Sequence, residues 1–424
     1  MAVTAQSVAE LCRAARDASR VLATLDSDAK NAALRAIADA LEVRAPEILE
    51  ANARDMEAGR ESGLSAALLD RLALDEGRLR GIADSVRAIA ALPDPVGEVI
   101  DGFRLANGLD VRKVRVPLGV IAVVYEARPN VTIDASALCL KSGNAIVLRG
   151  SSSATHSNAV LATVAADAAE GAGVPAGAIV LVAGGGRDEL AELATQNDYI
   201  DLIIPRGGEG LKAALKGVAT VPVIYAASGN CHVYVDATAD LGAAEAIIVN
   251  AKTQRPGVCN AAETLLVHVD AAPAFLPRVL RALRESGVEL RVDGRSHALA
   301  GEHLAGTLTD ATDEDWDTEF LALILAVKVV DSAQEAIDHI NEHGSGHSEA
   351  IVTSHVGTAR AFEMGVDAAC VYINASTRFT DGGEFGMGAE IGNSTQKLHA
   401  RGPIALRELC TFKYVVQGDG HVRP

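Results

Sequence analysis

The chain has 424 residues, enough for two or three domains with several layers of buried sheet, so it is not one small module. Its 38 basic and 56 acidic residues leave a formal charge of −18 with no Lys/Arg-rich run, so a nucleic-acid backbone or an anionic membrane is repelled at long range. Apolar residues make up 49% and aromatics only 3%, the composition of helices packed closely on parallel strands, and the expected class is α/β.

The six cysteines, Cys12, Cys139, Cys231, Cys259, Cys370 and Cys410, show no C-x-x-C pair and no zinc-like spacing. They read as reduced thiols in a reducing compartment. Met1 to Ser7 lack a basic stretch followed by an apolar core, and the run Leu321 to Val330 is broken by Lys328 and too short for a bilayer. A cytoplasmic protein is expected, with neither nucleic acid nor membrane as a partner.

Residues 4 to 92 carry helical periodicity: Val8, Leu11, Ala15 and Leu22 share one face, and Ala33, Ile37 and Leu41 share another. Ser27 or Asp28 is expected to cap the second helix, Pro46 to start the third, and Asp75-Glu76-Gly77 to open the last. Pro93-Asp94-Pro95 ends the helical block. Gly102 to Val116 then alternates charged and apolar residues as a half-exposed strand does. Such a strand needs cover, and a hairpin pairing with another subunit supplies it, so a homo-oligomer is expected.

From Pro117, short apolar runs alternate with helices in the manner of parallel βαβ units. Strands are expected at Val120 to Tyr125, Ala145 to Arg149, Ile179 to Ala183, Ile200 to Pro205 and Val221 to Tyr225, with helices near 131–142, 155–171, 187–195 and 208–217. Ala226 to Asn230 reads as a loop and a domain boundary near 230. A second series begins at His232 to Asp236 and continues with strands near 263–269, 288–292, 323–330, 349–353 and 369–373. The Gly-rich stretch Asp381 to Gly392 and a final strand Cys410 to Gln417 complete the chain.

The chemistry is expected in Asn250 to Thr264, with Cys259 at its centre. Pro256-Gly257 forces an extended turn before Cys259, and Leu265, Leu266 and Val267 after it read as a buried strand. Arg255 and Lys252 lie within seven residues, and nearby cations favour the thiolate, the form that attacks carbonyls. Taken alone, the turn fits a buried core cysteine better, since Cys is among the most buried residue types.

No G-x-G-x-x-G occurs. Two strand-to-helix turns, Arg149-Gly-Ser-Ser-Ser153 and Pro205-Arg-Gly-Gly-Glu-Gly210, offer what a dinucleotide laid across strand ends contacts, chiefly Gly207 and Gly208 in the second. The first lacks the acid that binds a ribose 2′-hydroxyl, whereas Arg149, Ser151 and Ser152 suit a 2′-phosphate. NADPH is therefore the expected cofactor. His339-Ile-Asn-Glu342-His343 matches H-x-x-E-H, but Gly344 ends its helix at once, and no metal is expected there. The acidic run Asp310 to Glu319 has Thr318 and Ile324 where a calcium loop needs Gly and Glu, so it reads as a solvated surface loop.

Four stretches carry a resemblance: Tyr125-Glu-Ala-Arg-Pro-Asn-Val-Thr132, Leu140 to Ser151, Gln254-Arg-Pro-Gly-Val-Cys-Asn260 and Thr380 to Gly392. Over essentially its full length the chain resembles the aldehyde dehydrogenase superfamily. The likeness is greatest to its acyl-phosphate-reducing branch, which acts on L-glutamate 5-phosphate in proline biosynthesis. The resemblance implies a Rossmann-like cofactor domain (1–100 and 117–230), an α/β catalytic domain (231–375) and a small β-flap (101–116 and 400–424) that builds dimers or tetramers. It implies Cys259 as nucleophile, with Asn130 joining the Cys259 backbone N–H as oxyanion donors. It places Glu319 and Phe320 against the nicotinamide-side ribose, although the spacing of that segment is altered here. Oxidising relatives carry a water-activating glutamate in a Glu-Leu-Gly-Gly segment where this chain has Ala227-Ser-Gly-Asn230, and the missing base favours reduction.

The implied reaction is reduction of L-glutamate 5-phosphate to L-glutamate 5-semialdehyde through a Cys259 thioester, on substrate supplied by a glutamate 5-kinase. Arg128, Arg255 and Lys252 are candidates for the substrate's carboxylate and phosphate. An oxidising semialdehyde dehydrogenase, a nicotinamide-independent thiol acyltransferase and a non-catalytic binding protein are the competing readings.

Overall fold

The computed structural model describes residues 6–184, 186–225, 228–301, 304 and 306–423. The chain divides into two compact units, Met1–Tyr225 with Gly386–Gly392 and Ile404–Pro424, and Ala226–Phe385 with Asn393–Pro403. The flap segment 101–116 falls within the first unit, as does the chain from Ile404 onward.

The first unit opens with helices α1 (Val8–Leu22), α2 (Ser27–Val43), α3 (Ala45–Glu61), α4 (Ala66–Leu72) and α5 (Glu76–Ala91). Ser7 and Glu10 form a reciprocal capping box on α1, and Asp75 caps α5 by accepting the Arg78 N–H at 2.7 Å. The cap of α2 is Asp26, not Ser27 or Asp28: Asp26 accepts from the Ala29 N–H at 2.8 Å. Ser27 already lies in the first turn and donates to Asp94 instead.

After the hairpin β1 (Val99–Arg104) and β2 (Asp110–Pro117) comes the expected alternation of β3 (Val120–Tyr125), α6 (Asn130–Lys141), β4 (Ala145–Arg149), α7 (Thr155–Gly171), β5 (Ile179–Leu181), α8 (Arg187–Ala194), β6 (Leu202–Arg206) and α9 (Glu209–Val218). The strands form a parallel sheet in the order β5-β4-β3-β6. Every residue of β3 and β4 is buried, which is why these strands read as unbroken apolar runs. The fifth expected strand, Val221 to Tyr225, reduces to one bridge between Val223 and Ile203. Pro222 and Pro205, placed on either side of that parallel bridge, each lack an N–H, so a ladder cannot extend.

The second unit contains β7 (Cys231–Val235), α10 (Leu241–Thr253), β8 (Ala262–His268), α11 (Ala272–Glu285), β9 (Glu289–Val292), α12 (Gly294–Leu299), β10 (Thr309–Asp310), α13 (Asp313–Trp316), β11 (Ile324–Val330), α14 (Ala333–His343), β12 (Ser348–Val352), α15 (Val356–Gly365) and β13 (Cys370–Ile373). Seven of these strands make a wholly parallel sheet, β10-β9-β11-β8-β7-β12-β13. Leu265, Val267, Phe275, Leu276 and Val327 fill one face of it. The acidic run is not simply a solvated loop. Thr312 and Asp315 cap α13 reciprocally, and buried Asp315 pairs with Arg291 at 2.5 Å.

A two-stranded ribbon follows, β14 (Asn393–Ser394) with β15 (Gly402–Pro403), and then β16 (Cys410–Gln417). Gly102 to Val116 is not one strand: Gly108, with φ +94°, turns the chain so that β1 and β2 pair antiparallel. The expected partner for this hairpin was another subunit, but β16 of the same chain covers the edge of β2 along its length. The resulting three-stranded sheet exposes Phe103, Phe412, Tyr414 and Val416. No described helix is long and apolar enough to cross a membrane.

Candidate active site

α10 ends at Thr253, and the chain crosses to the start of β8 through the turn that bears Cys259. Five of the six cysteines are buried, whereas Cys259 is half-buried, and none forms a disulfide. The turn is held at both ends by one side chain: Arg378 donates from Nε to Gln254 Oε1 at 2.8 Å and from Nη1 to Asn260 Oδ1. Asn260 in turn donates to the Thr380 carbonyl at 2.9 Å, and the Thr377 hydroxyl donates to the Asn260 carbonyl at 2.7 Å. The Cys231 thiol donates to the Cys259 carbonyl at 3.2 Å.

A second set of contacts supports the turn from beneath. Buried Gly229 lies against the Cys259 main chain with no room for a Cβ, and its N–H donates to Glu319 Oε1 at 2.6 Å. Lys252 and Glu263 are both fully buried and pair at 2.5 Å. The other Glu263 oxygen accepts from the Leu321 N–H at 3.3 Å, where Leu321 holds an unusual φ of +54°. Burial raises the Glu263 carboxyl to about 7 against the pull of Lys252.

These contacts correct one expectation. Lys252 is not a surface cation beside the thiol; its ammonium is committed to Glu263, and it leaves the set of substrate-binding candidates. Phe320 stacks under the Arg291 guanidinium, 5.0 Å from its ring centroid. Arg255 is exposed, as expected. The H-x-x-E-H histidine rings pack against each other with centroids 4.5 Å apart, but His339 is buried against Trp316 with its ring held neutral by burial, and His343 pairs with Asp317 at 2.9 Å.

In the first unit, Asn130 opens α6 and donates its amide to Asp134 Oδ2 at 2.9 Å. Burial pushes the Asp134 carboxyl up to about 6. Arg149 is buried, donates to the Gly186 carbonyl at 2.7 Å and leaves its Nε without a partner. Ser151 accepts from the Ala127 N–H at 3.2 Å, while Ser152 is exposed. A Cβ at Gly207 would press on Glu126 and Leu211, and the space beside Gly208 is open. The Gly208 N–H donates to exposed Glu126 at 3.0 Å, so a carboxylate already sits at the N-terminus of α9. A buried guanidinium whose Nε has no partner, an exposed serine and an anion-accepting helix start fit a dinucleotide phosphate. The sequence reading missed Glu189, whose charge acts on Arg149.

The aldehyde dehydrogenase family model matches residues 1–293 and 283–415. This chain belongs to the aldehyde dehydrogenase family. It is 56% identical over 409 residues to a protein of Heliobacterium modesticaldum named gamma-glutamyl phosphate reductase, covering 96% of this chain and 97% of that one. A protein of the same name from Moorella thermoacetica is 57% identical over 409 residues, covering 96% and 97%. The crystal structure of gamma-glutamyl phosphate reductase from Thermotoga maritima matches with a TM-score of 0.96 at 46% identity, over 99% of this chain and 100% of that one.

Within the aldehyde dehydrogenase frame, the residues missed from sequence are those that hold the nucleophile turn: Gly229, Cys231, Glu263 and Arg378. Only Arg378 left a usable signal, as a lone cation two residues before the Thr380 to Gly392 motif. The other three act through main-chain contacts or buried pairs that no spacing announces.

Proposed function

We propose that this chain reduces L-glutamate 5-phosphate to L-glutamate 5-semialdehyde, releasing phosphate, in the second step of proline biosynthesis from glutamate. The observation that carries this reading is the half-buried Cys259 on a turn clamped at both ends, in a chain so similar along its length to reductases of that name.

The Cys259 thiolate attacks the carbonyl carbon of the acyl phosphate; a C–S bond forms and the bond to the phosphate oxygen breaks. The Cys259 N–H and, on the resemblance, the Asn130 amide steady the oxyanion. A family member uses a nicotinamide cofactor, and when bound it supplies the hydride that reduces the thioester. NADPH is the form that Arg149 and Ser152 favour, with Ser151, Gly207 and Gly208 shaping the two phosphate-facing turns. Collapse of the thiohemiacetal regenerates the thiolate and releases the semialdehyde. Ala226 and Ala227 lie outside the described residues, and Ser228, Gly229 and Asn230 carry no carboxylate of their own in the place of the oxidising relatives' glutamate, which supports reduction over oxidation. Asn230 instead donates to the carbonyls of Trp316 at 2.6 Å and His343 at 2.8 Å.

Arg128 and Arg255 remain candidates for the substrate's anionic groups, and Glu319 for the cofactor ribose. A homodimer or homotetramer in the cytoplasm, fed by a glutamate 5-kinase, completes the proposal. The test is NADPH oxidation with kinase-generated glutamyl phosphate. Wild-type protein turns over, and Cys259→Ser loses activity while still binding NADPH. Aldehyde oxidation by NADP⁺ at equal rates with and without phosphate would point to an oxidising dehydrogenase, and failure to bind NADPH to a thiol acyltransferase.

A further inference from the structure

Arg378 and Arg255 bring two cations to the same turn without an ion-pair partner among the described residues. The bonds that hold Arg378 go to the neutral amides of Gln254 and Asn260. Asp381 lies within electrostatic reach of Arg378, but it directs an oxygen to the Gly383 N–H at 2.9 Å and does not pair with the guanidinium. Burial and the neighbouring Arg255 both weigh against the Arg378 charge, and Cys259 lies within its field. Two guanidinium groups held together in this way create a local positive site on a chain whose net charge is −18. Such a pair is relieved when an anion settles between them.

The fixed geometry of Arg378 strengthens the point. Among the described residues only its Nε–H and one Nη1–H are used, so the Nη2 edge of the fork stays available there. A planar fork of this kind suits the paired oxygens of a phosphoryl group. Because its two anchors bracket Cys259 at 254 and 260, the fork is carried on the turn that presents the nucleophile.

We infer that Arg378, with Arg255, binds the phosphoryl group that departs when Cys259 attacks the acyl phosphate. The inference rests on the proposed reduction and assigns the leaving-group site within it. Both arginines steady the dianion as the C–O bond breaks, and Arg378 holds the turn as well. In the reverse direction the same pair captures inorganic phosphate, which attacks the thioester.

The test uses the full-length enzyme in the reverse direction, with semialdehyde, NADP⁺ and inorganic phosphate. Losing hydrogen bonds to a charged group, Arg378→Gln raises the KM for phosphate roughly 10- to 100-fold, with little change in the KM for semialdehyde. Arg255→Gln, which breaks no internal bond, raises the phosphate KM by a smaller factor. An unchanged phosphate KM in Arg378→Gln overturns the inference, as does a rise confined to the semialdehyde KM, which would make Arg378 the carboxylate holder. If Arg378→Gln disturbs the turn, alkylation of Cys259 by iodoacetamide decides. Inorganic phosphate protects the wild-type thiol, and Arg255→Gln needs more phosphate for the same protection; absence of protection in the wild type refutes the site. Phosphate-independent turnover by the wild type is a different failure, that of the proposed reaction.

Discussion

Gly229 lies against Cys259 so closely that any Cβ at position 229 would overlap the Cys259 carbonyl group. Backbone meets backbone there, so no rotamer change can relieve the overlap. Gly229→Ala therefore displaces the Cys259 turn, and a shift of about 1 Å at a reacting centre costs on the order of 100-fold in rate. The measurements are kcat and the alkylation rate of Cys259; wild-type values for both would mean that the turn adapts.

The Lys252–Glu263 pair is fully buried. Removing one partner strands a charge, so Lys252→Met alone destabilises the chain by about 3–5 kcal/mol. Lys252→Met combined with Glu263→Leu replaces the pair by apolar groups and recovers most of that loss. Denaturant midpoints of the three proteins check this, and additive losses in the double variant would contradict it.

Burial lowers the ring pKa of His347 to about 4 from an ordinary 6.5. The folded state binds this proton less readily than the unfolded chain does. The contribution of His347 is therefore complete above pH 6.5 and is lost as the pH falls toward about 4. His347→Gln removes that titration, so its stability should fall less steeply over this window, by up to about 1.4 kcal/mol per pH unit. Parallel stability curves for the two proteins would show that His347 is not the group responsible.

Ser152 is exposed at the start of a short 3₁₀ turn just after β4. An acid there repels a 2′-phosphate and accepts from a 2′-hydroxyl. Ser152→Glu should raise the KM for NADPH about tenfold, the effect of roughly 1.4 kcal/mol, with little change for NADH. Steady-state kinetics with both cofactors distinguish this from an equal effect on each.

Phe412 is 46% exposed and Tyr414 59% exposed on the three-stranded flap. In the proposed homo-oligomer these open apolar side chains form the interface. Phe412→Glu with Tyr414→Glu should shift the particle to a smaller mass by size-exclusion chromatography with light scattering. An unchanged mass would move the interface elsewhere.

Periodicity and composition were enough to place most helices of the first unit and the long parallel strands of both, because parallel strands buried on both faces must be unbroken apolar runs, as in β3 and β8. Local chemistry made Cys259 a candidate, since Pro256-Gly257 and the following strand are contiguous with it in the chain, and the family resemblance made it the expected nucleophile. What sequence could not decide were pairings between distant residues. Pro205 and Pro222, on either side of the Ile203–Val223 bridge, cut a strand short; β16 takes the edge of β2; Glu263 claims Lys252; Arg378 spans the Cys259 turn from more than a hundred residues away. Each depends on which groups meet once the chain has folded. Hydrogen bonds and ion pairs act over a few ångströms of space regardless of sequence separation, so only the tertiary structure could assign them.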